Sequence, residues 1–189
     1  ALSKLYEIRK EKIPLVDNNG VLKGLLTKKD LKPNYPDAAK DGKGRLLCAL
    51  GCSPFLPKTK EKVDLLKEIS EYTDIMMTDV AEFYKDLDMN GAKEMMEALD
   101  AKFVVGNIGT YAAAEHLLTS ADFPEDKFLG IKVGMGSGSI CTTTIQTGVG
   151  APTLYATAQV ADAIKDYNPK IALIADGGFK FPGDLVKAF

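Results

Sequence analysis

Short apolar runs alternate with longer amphipathic stretches from Arg45 to the last residue, Phe189, and this alternation constrains the fold more than any other feature of the chain. The apolar runs are Arg45 to Leu50, Asp74 to Thr78, Lys102 to Val105, Gly130 to Val133 and Lys170 to Ala175. They are continuous rather than alternating, as in strands of a parallel sheet buried on both faces. The stretches between them, Thr59 to Glu71, Gly91 to Leu99, Tyr111 to Ser120 and Pro152 to Ala163, carry helical spacing. Strand and helix in turn at this spacing imply βαβ units around a parallel sheet, either a barrel or a doubly wound sheet.

The placement of polar residues decides between the two. Asp79, Asn107, Gly136 to Cys141, and Asp176-Gly177-Gly178 each follow a different predicted strand. Several strands delivering polar groups to one end is how a (β/α)8 barrel builds a site, whereas a doubly wound sheet concentrates them at one switch point. The α/β fold predicted is therefore a TIM barrel, with about five of its eight strands present.

One of these segments carries distinctive chemistry. Ile131 to Val133 runs into Gly134, Gly136 and Gly138, and the turn then presents Ser139 and Cys141 beside Thr142, Thr143 and Thr144. Glycines permit positive φ and close approach to a ligand, and successive N–H groups in such a turn can cradle a phosphate. A thiol on a phosphate cradle suits covalent chemistry on a nucleotide.

The string Gly-Met-Gly-Ser-Gly-Ser-Ile-Cys-Thr-Thr from Gly134, followed by Thr147-Gly148-Val149-Gly150, resembles the active-site loop of the IMP dehydrogenase and GMP reductase family. The resemblance implies that Cys141 attacks C2 of a purine nucleotide, with Thr143 beside the reacting carbon. It implies that Ser139, Gly138 and Gly178, with Gly177 alongside, bind the phosphate, and that Asp176 accepts the ribose hydroxyls. Asp79, Asn107, Gly134 and Gly136 would lie along an NAD site, and the carbonyls of Gly136, Gly138 and Cys141 would hold a potassium ion. The activity implied is oxidation of IMP to XMP with NAD, in a homotetramer. The alternatives are GMP reductase, converting GMP to IMP with NADPH, and a catalytically lapsed paralogue that senses nucleotides. Two departures from the family pattern stand out. Val80-Ala81-Glu82-Phe83-Tyr84 replaces a small, glycine-containing stretch, so Phe83 and Tyr84 are expected to crowd or reshape the dinucleotide site. Thr144 stands where many bacterial members have arginine.

The first part of the chain reads differently. Two apolar runs flank Asp17-Asn18-Asn19-Gly20, a strong hairpin signal. This segment is similar to the closing half of a CBS motif, whose Thr27 and Asp30 positions often face a nucleotide; as local caps the two need no ligand. The division expected is the end of a CBS motif over 1–31, a linker over 32–44 and the partial barrel over 45–189. The chain begins and ends in helical patterns without caps, as a piece of a longer protein would.

A formal net charge of −2 offers no electrostatic footprint for nucleic acid, and no apolar run is long enough to span a membrane. Cys48, Cys52 and Cys141 form an odd set without a CxxC pair, which points to a reducing, cytoplasmic setting, with Cys48 and Cys52 as packing residues. The single histidine, His116, lies in a run of alanines and leucines and reads as structural or solvent-exposed.

Overall fold

The computed structural model describes residues 2–27, 29–30 and 37–189, which divide into a unit ending at Leu46 and a unit from Leu47 to Phe189. Ala1 and residues 31–36, where the linker was expected to begin, lie outside the described residues.

The first unit contains helix α1 (Leu2–Glu7) and an antiparallel hairpin of β1 (Lys12–Val16) and β2 (Leu22–Thr27). Its turn is set by Asp17, whose carboxylate accepts the N–H groups of Asn19 and Val21 at 2.9 and 3.0 Å, with Gly20 at φ 79°. Thr27 and Asp30 bond to each other: the Thr27 N–H donates to the Asp30 carboxylate at 2.6 Å, and the Asp30 N–H reaches the Thr27 hydroxyl at 3.4 Å. These two bonds close a local turn between the residues.

The first strand of the second unit begins later than the apolar run suggests. Asp41 accepts the N–H groups of Lys43 and Arg45 at 2.9 and 2.8 Å, and Cys48 N–H is taken by the Asp74 carboxylate at 2.7 Å. Side-chain acceptors thus take up N–H groups of this segment, and β3 covers Ala49–Cys52 rather than Arg45 to Leu50.

The second unit alternates strand and helix throughout. After β3 come α2 (Lys60–Ser70), β4 (Ile75–Thr78), α3 (Asp86–Ala98), β5 (Lys102–Ile108), α4 (Tyr111–Ser120) and β6 (Phe128–Val133). The short α5 (Thr143–Thr147), α6 (Thr153–Tyr167), β7 (Ala172–Ala175) and α7 (Pro182–Ala188) complete it. The five strands form one sheet in the order β3-β4-β5-β6-β7, every pair parallel. Sequential order without a reversal is the order of barrel strands; a doubly wound sheet changes direction at a switch point.

Burial follows from that order. Central β5 is buried from Phe103 to Ile108, and its residues pack with Met89, Met95 and Met96 of α3, Ala114 and Leu117 of α4, and Val160 and Ala163 of α6. Phe83 joins this core. It is fully buried, and its N–H donates to the Asn107 carbonyl at 2.8 Å. Val80 N–H donates to Gly106 O at 3.1 Å and Asn107 N–H returns to Val80 O at 2.7 Å, so the segment after β4 is clamped to the end of β5. Phe83 thus faces the core: an aromatic ring gains more from apolar burial than from exposure, and the clamp directs it inward. Tyr84, by contrast, is exposed. Phe83→Ala should therefore cost about 3–5 kcal/mol of stability and Tyr84→Ala less than about 1 kcal/mol, read from urea denaturation midpoints. Equal effects would contradict the core assignment.

Candidate active site

Every strand of the second unit ends on the same side of the sheet, because all run parallel in register. Cys52 closes β3, Asp79 follows β4, Asn107 lies near the end of β5, Gly134 follows β6 and Asp176 follows β7. Backbone bonds stagger these ends: Asp79 N–H donates to Cys52 O at 3.0 Å, and Asp176 N–H to Val133 O at 2.8 Å.

The segment after β6 folds back on itself. Met135 pairs with Ala151, the Ser137 hydroxyl donates to Ala151 O at 3.3 Å, and Cys141 N–H donates to Gly138 O at 3.0 Å. Gly134 adopts φ 131°, and a Cβ on it would overlap the carbonyl oxygen of Asp176. Gly178 adopts φ 82°, and a Cβ there would fall 2.6 Å from Ser137 Cβ and 2.8 Å from Thr153 Oγ1. The glycines thus seat the cysteine loop against Asp176-Gly177-Gly178 and the start of α6. Gly138 does not adopt positive φ, and Gly177 packs on it, a Cβ on Gly177 falling 3.1 Å from Gly138 Cα. Gly136 does take positive φ, at 77°, and lies against the Thr144 side chain. Ser139 is exposed on this loop.

Cys141 Sγ lies 3.5 Å from the hydroxyl of Thr143, the first residue of α5. Hydrogen bonding from the Thr143 side chain, then its backbone, then Gly136 holds the thiol below its usual range, against burial and the negative charge of Asp176. Cys52 is the opposite case. Burial, assisted by the charge of Asp79, pushes its thiol up to about 11, and Sγ is engaged by the Met77 carbonyl at 3.6 Å. Cys48 is exposed, with Sγ 3.4 Å from Tyr72 O. Hydrogen bonding outweighs burial at Cys141, where it favours the nucleophilic thiolate, whereas burial outweighs it at Cys52.

A residue that the sequence did not single out joins the other candidates. Lys132, the penultimate residue of β6, has a side chain only 6% exposed, with Nζ 3.0 Å from Asp79 Oδ1 and 2.9 Å from Asp176 Oδ2. Asn107 Nδ2 donates to the Gly134 carbonyl and reaches Asp176 Oδ2 at 3.4 Å, while its Oδ1 is buried with no partner among the described residues. Burial raises the Asp176 carboxyl, but bonding to Lys132, the lysine's charge and Asn107 outweigh it and hold the group below the ordinary aspartate value. The structure thus brings Asp79, Asn107, Gly134 and Asp176 into one network through Lys132. The available signal was a single charge inside the apolar run Gly130 to Val133.

His116 is placed elsewhere, on α4, with Nε2 3.1 Å from Asp86 Oδ1 and Nδ1 3.3 Å from the Ser120 hydroxyl. Among the described residues no group of three or more His, Cys, Asp or Glu side chains could hold a metal ion, and no helix is long and apolar enough to cross a membrane.

The thiol environments make an ordered prediction. With iodoacetamide at about pH 7.5, Cys141 should alkylate at least about tenfold faster than Cys52, followed by peptide mass spectrometry. Thr143→Val removes the first of the donors and should move the inflection of the Cys141 rate upward in pH; an unmoved inflection would show that Thr143 does not tune the thiol.

Comparison with known proteins agrees with this arrangement. The chain matches the family model described as IMP dehydrogenase / GMP reductase domain over residues 4–189. It is 41% identical to the inosine-5'-monophosphate dehydrogenase of Korarchaeum cryptofilum, over 95% of this chain and 36% of that protein. It is likewise 41% identical to the Methanocaldococcus jannaschii enzyme of the same name, over 100% of this chain and 36% of that protein. The chain thus spans about a third of the length of these curated relatives. Among solved structures it is similar to GMP reductase C318A from Trypanosoma brucei, at 29% identity and a TM-score of 0.68, covering 100% of this chain and 41% of that one. A cysteine loop seated against an Asp-Gly-Gly turn at the ends of sequential parallel strands, and a family match along almost the whole sequence, have one reading: the chain belongs to the IMP dehydrogenase / GMP reductase family.

Proposed function

We propose that this chain forms the central part of the catalytic barrel of an IMP dehydrogenase, about five of eight strands, and that it oxidises IMP to XMP with NAD through a covalent adduct on Cys141. The observation that carries this is the Cys141 thiol, favoured as thiolate by Thr143 and Gly136, on a loop packed against Asp176-Gly177-Gly178. The names of the curated relatives support the dehydrogenase. GMP reductase is the second reading, favoured by the solved T. brucei structures.

In the proposed reaction, Ser139, Gly138 and Gly178 anchor the nucleotide phosphate through loop amides and a hydroxyl. Asp176 accepts the ribose hydroxyls, which fixes C2 of the purine near Cys141. The thiolate adds to C2 and forms a C–S bond; the hydrogen on C2 departs as hydride. Water then displaces sulfur, giving XMP and the free thiol. When bound, NAD supplies the hydride acceptor. The residues proposed to hold it are Asp79, Asn107, Gly134 and Gly136, and the buried, unpartnered Asn107 Oδ1 fits an amide donor on such a ligand. A potassium ion is proposed at the carbonyls of Gly136, Gly138 and Cys141. Gly138 and Cys141 lie on one turn, closed by the Cys141 N–H to Gly138 O bond, with Gly136 just before it, and backbone carbonyls are the neutral oxygens that suit a weakly hydrated monovalent cation. The proposal includes a homotetramer.

Full-length protein should reduce NAD when given IMP; oxidation of NADPH with GMP and no reaction with IMP would select the reductase instead. Cys141→Ala should abolish turnover and leave IMP affinity within about tenfold, because the phosphate and ribose contacts remain. Asp176→Ala should weaken IMP binding by about 1.5–3 kcal/mol in titration calorimetry, the worth of a charge-assisted contact. Undiminished affinity would assign Asp176 to the turn alone.

A further inference from the structure

The Lys132 side chain lies in β6 among neighbours that are otherwise apolar, and it is almost fully buried. A lysine is buried this deeply only where its charge is compensated. Its partners, however, are not buried: the Asp79 and Asp176 side chains remain 64% and 51% exposed. A buried ammonium beneath two half-exposed carboxylates leaves acceptor oxygens facing outward while the charge that supports them stays inside. The shared Nζ also keeps the two bonded carboxylate oxygens within about 6 Å of each other, with the ammonium between them.

We infer that Lys132 is a positioning residue: it holds Asp176 ionised and aimed as the acceptor for the nucleotide ribose, and it ties that carboxylate to Asp79 at the neighbouring dinucleotide position. The inference rests on the nucleotide site proposed above. The groups that face this network come from each surrounding element. They are Cys52 at the end of β3, Asp79 after β4, uncharged Asn107 in β5, Lys132 itself in β6, Cys141 on the loop after β6, and Asp176 after β7. Lys132 is the only cation among them. With its charge removed, burial favours the protonated form of Asp176, and the long Asn107 hydrogen bond is the one contact in the group left to favour the carboxylate. The sign follows. Asp176 with its lysine stays an acceptor down to acid pH, whereas without it Asp176 takes up a proton as pH falls, and ribose binding is lost in the same range.

The test is IMP affinity by calorimetry in full-length protein carrying Cys141→Ala, which prevents turnover, with Lys132 intact or replaced by Gln, Met or Arg. The quantity read is the ratio of each variant's dissociation constant to that of the parent, so that titration of the nucleotide's own phosphate cancels. Lys132→Gln should weaken binding by about tenfold at pH 8, and the ratio should grow at least about fivefold more by pH 5.5. Lys132→Met should follow the same profile, and Lys132→Arg, which keeps the charge, should give a ratio constant with pH to within about twofold. Ratios for Gln and Met that do not change with pH would reduce Lys132 to a packing residue and overturn the inference. Failure of the parent itself to bind IMP would instead overturn the nucleotide site, so the two readings fail in different ways. Thermal unfolding of each variant identifies which proteins are folded at the temperature used, and a folded Gln or Met variant alone suffices for the comparison.

Discussion

One buried ammonium group connects the ends of three strands. Lys132 of β6 bonds to the aspartates that follow β4 and β7, and Asn107 of β5 reaches one of the same carboxylates. A lysine taken out of water loses its hydration, and only close, well-aligned anions offset that loss. The geometry around it is correspondingly tight. Gly106 has no Cβ because one would fall 2.6 Å from the Lys132 carbonyl oxygen and 2.7 Å from its Cβ. The backbone of β5 therefore passes directly against Lys132.

The cysteine loop depends on the second constraint, close backbone approach between consecutive β–α connections. Gly134 lies on the Asp176 carbonyl, Gly177 on Gly138, and Gly178 on Ser137 and Thr153. The thiol is thereby carried on a surface of main chain rather than on mobile side chains, which suits a group whose reactivity depends on oriented N–H and O–H donors. The segment after β4 is held by the same economy of means: it exchanges backbone hydrogen bonds with Gly106 and Asn107 and buries Phe83 beneath them. A bulky residue in that segment therefore contributes to the scaffold, and the site above it is shaped by Asp79 and Lys132.

Much of this was legible in the residues themselves. Continuous apolar runs marked the later strands, and polar residues immediately after them marked the chemical end of the sheet. The run Gly134 to Gly138 announced a turn near a thiol, because few other sequences need so many small residues beside a cysteine. Other features were not legible. Arg45 to Cys48 has the composition of a strand, but the nearby Asp41 takes up the N–H of Arg45, and Asp74, 26 residues along the chain, takes up that of Cys48. Phe83 has the same composition whether it faces a cleft or a core. Lys132 reads locally as an ordinary charge near a strand end, and its burial becomes visible only once Asp79 and Asp176, on other strands, are placed around it.

By itself, then, the sequence determined the alternation of elements, the family and the glycine-rich turn that carries Cys141, because these rest on local properties: apolar periodicity, glycine conformation and a contiguous motif. The tertiary structure alone decided which way Phe83 turns, where β3 begins and which cation the two aspartates share. Each of those outcomes depends on groups that are far apart in the chain and meet only when parallel strands come into register, and it is that meeting which makes burying a charge favourable at Lys132.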